Sequence, residues 1–225
     1  VTPHLPVLAS AADWVVLAKP SGLAIHRSER VHDEVTLVGL AGRQLGRRVH
    51  PVHRLDKPAS GCLLLAFDTA HLAPLAAALA AGTKTYLVAV RGSFKWDDPV
   101  SVSKPMADDH GVVREAHTVL TCLGRSADPR CSLLRATPTT GRFHQVRRHA
   151  RDLDHPVLGD HVHGDTRVNR AWRERYGLDR LHLHCLRLDL PGLLDVTCPV
   201  PEDLAAVWRQ LPWWDDACAA EPRLR

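Results

Sequence analysis

The run Gly61-Cys-Leu-Leu-Leu-Ala-Phe67 constrains the fold more than any other stretch, because it carries no charged or amide side chain. A strand with one solvated face alternates apolar and polar residues, whereas a short unbroken apolar run is what a strand covered on both faces requires. Gly61 to Phe67 is thus read as a central strand. The segment before it, His53 to Ser60, is polar and contains Pro58. A charged loop is expected to open onto the mouth of the core at this point.

Other elements arrange themselves around this strand. Trp14 to Ala18 is a short apolar run closed by the turn signal Lys19-Pro20-Ser21-Gly22. Leu37, Leu40, Ala41 and Leu45 recur at helical spacing and predict a helix over 34–47. The alanine-rich stretch 70–81 reads as a helix with Pro74 in its first turn and Gly82 as its stop. Thr85 to Val90 reads as a strand closed by Gly92, and Ser132 to Ala136 as another. Phe143, Val146, Ala150 and Leu153 predict an amphipathic helix over 143–153 with arginines on its other faces. Leu181 to Leu190 alternates as a strand, and Leu204, Val207, Trp208 and Leu211 define a C-terminal helix opened by Pro201-Glu202-Asp203. Residues 93–130 mix Asp, Pro, Gly and short apolar pieces, and no element is assigned there. Strands and helices alternate without regular β-α-β spacing. The expected class is α+β, one domain over 1–225, with a mixed, mainly antiparallel sheet flanked by helices and loops.

Composition excludes several classes. With 45% apolar and 24% charged residues, the chain is far from the signature of disorder. No apolar run approaches the roughly 18 residues of a membrane span, and Val1 to Ser10 lacks a basic start followed by an apolar stretch. A cytoplasmic location without membrane contact is the resulting expectation. Six cysteines are scattered with no C-x-x-C pair, as expected of reduced structural thiols. The net charge is only +4, but arginines cluster at 142, 147, 148 and 151 and again at 167, 170, 173 and 175. Such clusters suit a phosphate-rich partner, or equally a solvated helical face.

The chemistry-bearing segment is His53-Arg54-Leu55-Asp56-Lys57-Pro58-Ala59-Ser60-Gly61. It sets one carboxylate among cations at the edge of the core, and nearby positive charge favours the ionised form needed in a nucleophile or base. On the residues alone, Asp56 before Lys-Pro is also a plain turn residue. The segment resembles the Arg-Leu-Asp motif of the RluA-like family of RNA pseudouridine synthases. Lys19-Pro20-Ser21-Gly22-Leu23 is similar to that family's upstream Lys-Pro-x-Gly element, and Lys84-Thr85-Tyr86 to its Lys-x-Tyr element. Gly141-Arg142-Phe143-His144-Gln145-Val146-Arg147 resembles its Gly-Arg-x-His-Gln-hydrophobic-Arg element. His155-Pro156-Val157-Leu158-Gly159-Asp160 and Arg180-Leu181-His182-Leu183-His184 are similar to two further landmarks, so the likeness spans about 13–190 in family order. One departure is Ala59 where the family usually has Thr before Ser-Gly.

The resemblance implies a single pseudouridine synthase catalytic domain, and because the likeness starts near residue 13 no separate RNA-binding domain is expected ahead of it. It further implies Asp56 as nucleophile, Arg147 as its buried ion-pair partner, and Tyr86 as the ring stacked on the target base. Substrate and product are isomers, so no redox cofactor, nucleotide or metal is expected. A uridine within a stem must be flipped out to reach a carboxylate, so the RNA backbone must be gripped. Arg54, Arg142 and Arg148 are the candidates for that grip, assisted by His53 and His144. The features His26-Arg27-Ser28, Arg147-Arg148-His149, His163-Gly164-Asp165 and Asn169-Arg170 resemble the subgroup that acts on the tRNA T-stem at position sixty-five. The expected partner is tRNA and the expected state a monomer. Alternatives are the same reaction on large-subunit ribosomal RNA, a non-catalytic RNA-binding module, and a metal enzyme using His161, His163, His182 and His184.

Overall fold

The computed structural model describes residues 4–27, 35–108 and 111–224. In chain order the elements begin with β1 (Val7–Ser10), β2 (Trp14–Lys19), α1 (Leu37–Leu45), β3 (His50–Pro51), β4 (Ser60–Ala66) and α2 (Leu72–Ala81). Next come β5 (Thr83–Arg91), β6 (Val100–Ser103), β7 (Met106–Ala107), β8 (Val113–Arg114), β9 (His117–Ala127) and β10 (Arg130–Pro138). The chain closes with α3 (Gln145–Asp152), α4 (Thr166–Tyr176), β11 (Leu183–Leu190), β12 (Leu194–Thr197), α5 (Glu202–Trp208) and α6 (Trp214–Ala220). The fold is α+β. It divides into two compact units, one of residues 1–84 with 185–198 and the other of 85–184 with 199–225.

In the first unit the strands run in the order β1-β2-β4-β11, with β3 beside β4 and β12 beside β11. The β1–β2, β2–β4, β3–β4 and β11–β12 ladders are antiparallel. Every residue of β4 is buried, which is why its sequence admits no polar alternation. The β2–β4 register runs from Trp14 opposite Ala66 to Lys19 opposite Gly61. Lys19 thus stands where the charged loop enters the strand. Gly61 has φ +121, and a Cβ there would lie 2.2 Å from the Cys185 carbonyl oxygen, so only glycine admits this approach of β4 to β11.

In the second unit the order is β5-β10-β9-β6, all antiparallel, with β7 and β8 forming a separate two-stranded sheet. The segment 156–158 lies beside β5: Arg91 N donates to Pro156 O and Leu158 N to Ala89 O, both at 2.9 Å. Helix α3 packs against β9 and β10, and α6 against β9. Trp208 and Trp213 are fully buried, and Trp208 Nε1 donates to His182 Nδ1 at 3.0 Å. Burial, with Arg180 nearby, pushes His182 down to about 3, so it stays a neutral acceptor.

Most expected elements are present within one or two residues. Helix α1 is shorter than 34–47 because Thr36 caps it, its hydroxyl accepting from Gly39 N at 3.3 Å; residue 34 lies outside the described residues. Helix α3 starts at Gln145, since His144 before it takes a left-handed φ of 53. The C-terminal helix stops at Trp208, short of Leu211, and α6 follows unannounced after Pro212. The unassigned stretch 93–130 holds β6 to β9, including the longest strand of the chain. No helix among the described residues is long and apolar enough to cross a membrane.

Candidate active site

Asp56 sits half-buried on the loop between β3 and β4, with buried Leu55 before it and exposed Arg54 and Lys57 on either side. The backbone around it is tied down rather than free to fluctuate. Lys19 Nζ donates to the carbonyls of Pro20, Lys57 and Ala59 at 2.9, 3.0 and 2.7 Å. Gly22 N donates to Lys57 O at 2.9 Å, and Ser21 Oγ to Pro58 O at 2.8 Å. The Lys-Pro-Ser-Gly turn is thereby a staple for the loop that carries the carboxylate. At the other end, His53 Nε2 accepts from Leu64 N at 3.0 Å. Burial and the charge of Lys84 push His53 down to about 4. It is a neutral anchor to β4 at physiological pH, and its charge is not available to a phosphate.

In the second unit Tyr86 lies on β5, opposite Ala136 of β10 and 8% exposed. Arg147 lies on α3 and is 2% exposed. Its Nε and Nη2 donate to Asp160 Oδ2 and Oδ1, both at 2.7 Å, in the fork geometry that lysine does not match. Asp160 is itself 1% exposed and also accepts from Val162 N and His163 N at 2.9 Å. Burial by itself would raise the Asp160 carboxyl, but the guanidinium and the two amides outweigh it and hold the pKa below the usual carboxylate range.

The base of α3 is fixed by a second network. Gln145 Oε1 accepts from Thr140 Oγ1 and Arg142 N at 2.7 and 2.9 Å. Its Nε2 donates to His117 O and Thr118 Oγ1 at 2.8 and 3.0 Å. All four polar positions of a buried amide are satisfied, which accounts for glutamine in this motif. His144 Nδ1 shares a 2.9 Å hydrogen bond with His163 Nε2, and its ring stacks on Phe143 at 3.7 Å. Arg142 Nε donates to Glu115 O at 3.0 Å and Arg148 Nη1 to Ala107 O at 3.3 Å.

Each sequence-derived candidate thus has a defined place. Asp56, Arg54 and His53 share one loop; Arg142, His144, Arg147 and Arg148 share α3 and its approach; Tyr86 is a strand residue of the second unit. His26 and Arg27 are exposed, and Ser28 lies outside the described residues. Sequence reasoning left Lys19, Gln145 and Asp160 without roles although it quoted all three within motifs, and it gave His163 a role only in the metal-enzyme alternative. The available signal was a charged or amide residue next to apolar neighbours, which marks a buried polar hub. Of the histidines considered as metal ligands, His163 engages His144 and His182 engages Trp208. No group of three or more His, Cys, Asp or Glu among the described residues could hold a metal ion. All six cysteines are free thiols.

Residues 13–152, which contain Asp56, Tyr86 and Arg147, match the family model for RNA pseudouridylate synthase. The chain is 37% identical to tRNA pseudouridine synthase C of Pasteurella multocida, covering 82% of this chain and 84% of that protein. It is 34% identical to tRNA pseudouridine synthase C of Yersinia pestis, over 78% and 77% of the two chains. Among solved structures, human RNA pseudouridylate synthase domain containing 4 matches with a TM-score of 0.75 and 25% identity, over 91% of this chain and 92% of that one. The chain belongs to the RluA-like family of RNA pseudouridine synthases, which are isomerases.

Proposed function

We propose that the protein isomerises uridine 65 in the T-stem of tRNA to pseudouridine, with Asp56 as the nucleophile. The reading is carried by the relatives named tRNA pseudouridine synthase C, which are similar over most of both chains. The reaction breaks the bond from N1 to C1′, turns the base and rejoins it through C5. An ionised Asp56 serves it by attack at C1′, by addition at C6, or by taking a sugar proton to give a glycal. Arg147, itself held by Asp160, is the ion-pair partner that the family resemblance assigns to Asp56. Tyr86 offers a ring to the flipped base, and its hydroxyl assists removal of the C5 proton. Arg54, Arg142 and Arg148 take the phosphates, with His144 assisting. The single catalytic domain acts as a monomer, and no cofactor or metal enters the step.

The test is incubation of purified protein with unmodified tRNA and large-subunit ribosomal transcripts, followed by pseudouridine mapping. We expect product at position 65 of tRNA, and a loss of at least about 10³-fold in turnover for Asp56→Ala, the scale seen when a nucleophile is removed. Product only in ribosomal RNA would overturn the target and keep the reaction. Tight binding with no isomer would replace the enzyme reading with an RNA-binding module.

A further inference from the structure

Just ahead of α3 the backbone takes a left-handed turn at a residue that is not glycine: His144 has φ 53 and ψ 27. Such a conformation persists only where surrounding contacts impose it. Here the contact is His163, whose Nε2 lies 2.9 Å from His144 Nδ1, with the two rings edge to face. His163 is in turn held by its own amide on the Asp160 carboxylate that orients Arg147. Burial, with Arg147, Arg148 and Arg151 near, lowers the pKa of His163, so this partner stays neutral. The outcome is a His144 ring laid flat on Phe143, with centroids 3.7 Å apart and 21° between planes.

Neither ring belongs to the core, since both residues are half-exposed. The charges beside them differ from several others in the protein. Arg135, Arg180, Arg187 and Arg209 pair with carboxylates. Arg142 and Arg148, on either side of the two rings in sequence, instead reach backbone carbonyls, which orient a guanidinium without neutralising it. An oriented aromatic stack flanked in sequence by two guanidinium groups, whose charge no carboxylate among the described residues cancels, matches an unstacked nucleotide, whose base takes the ring face and whose phosphates take the arginines.

We propose that the Phe143–His144 stack is a platform for one unstacked nucleobase next to the target uridine, and that His163 is the positioning residue that sets its angle. The proposal rests on the RNA-modifying reading above. It adds a stacking subsite to the grip on the phosphates, and it accounts for His163 through contacts that reach both His144 and the Asp160 carboxylate.

The test uses the whole protein and tRNA transcripts carrying 2-aminopurine at single positions flanking the modified uridine, with kcat and KM measured alongside. Wild type and Phe143→Trp are expected to quench the probe at one flanking position. Phe143→Leu is expected to lose that quenching and raise KM about ten- to a hundredfold, as removal of a base-stacking ring does, with kcat changed far less. His163→Leu should follow Phe143→Leu, while His163→Gln, which restores a hydrogen-bonding atom at similar reach, should recover most of the KM. Equal behaviour of the Trp and Leu variants at Phe143, or a KM unmoved by either leucine variant, would overturn the platform. Failure of wild type to make pseudouridine in any transcript is separately visible, because stacking is read by fluorescence whether or not product forms. Unfolding midpoints of the four variants identify any loss caused by misfolding, and a folded Phe143→Leu with wild-type quenching also overturns the proposal.

Discussion

Lys19 in the first unit and Asp160 in the second solve one problem with opposite charges. Each is a buried ion, 1% exposed, that gathers backbone groups around a segment bearing a candidate catalytic side chain. Lys19 collects three carbonyls and fixes the loop of Asp56; Asp160 collects two amides and the guanidinium of Arg147. The difference lies in what remains when the ion is removed. Without Lys19, carbonyl dipoles lose a donor. Without Asp160, a full positive charge at Arg147, 2% exposed, loses its carboxylate partner. Desolvated charges cost far more than desolvated dipoles, so the second hub is the more brittle.

The largest effect is therefore expected at Asp160. Asp160→Ala should lower unfolding stability by about 3–5 kcal/mol, the usual cost of breaking a buried pair from one side. Turnover should fall with it, because α3 then presents Arg147 unclamped. Urea unfolding followed by intrinsic tryptophan fluorescence checks this through Trp208 and Trp213, which lie in the same unit. A loss under about 1 kcal/mol would mean the fork on Asp160 is dispensable, and the contrast between the hubs would collapse.

Lys19→Met keeps the apolar stem and deletes the three donations, so a smaller loss of about 1–3 kcal/mol is expected. Its signature should be functional: kcat drops more than stability alone implies, because the backbone from Lys57 to Ala59 loses its staple next to Asp56. A variant with wild-type kcat would show that Ser21, Gly22 and His53 hold the loop unaided.

How much of this was legible beforehand follows from the same chemistry. The buried β4, the α2 helix with its Gly82 stop, and the loop carrying Asp56 could be read because one short window holds the whole signal. The hubs could not. Lys19 and its two distant carbonyl partners are 38 and 40 residues apart, and Arg147 and Asp160 are 13 apart across an irregular segment, so no periodicity links them. Strand β9 escaped for a different reason. Its ladder with β10 shifts register between Leu133 and Leu134, which breaks the alternation a reader relies on. Gly124 also interrupts it, at the point where a Cβ would come 2.8 Å from the Trp213 carbonyl oxygen. Helix α6, whose approach demands that glycine, was itself hidden behind Pro212.

The smallest effect concerns the third anchor of the Asp56 loop, and it is read through pH. His53 titrates at 6.5 when unfolded but at about 4 in the fold, where its Nε2 accepts from Leu64 N. Above pH 6.5 both states are neutral and the anchor contributes fully. Between 6.5 and 4 the unfolded chain takes up a proton that the folded chain refuses, so stability is lost as pH falls. Allowing for partial exposure, His53 accounts for about 2 kcal/mol of that loss. His182, buried and pushed down to about 3, acts with the same sign and extends the decline to lower pH. His53→Gln can still accept from Leu64 N but does not titrate. Its stability should therefore change less than wild type between pH 7 and 4, while the two converge within about 1 kcal/mol at pH 7.5. Identical pH slopes would mean that His53 is solvated well enough to charge in place. The loop would then be held by the lysine hub and its turn alone, so that one buried cation and the carbonyls it gathers would carry the whole task of fixing the segment of Asp56.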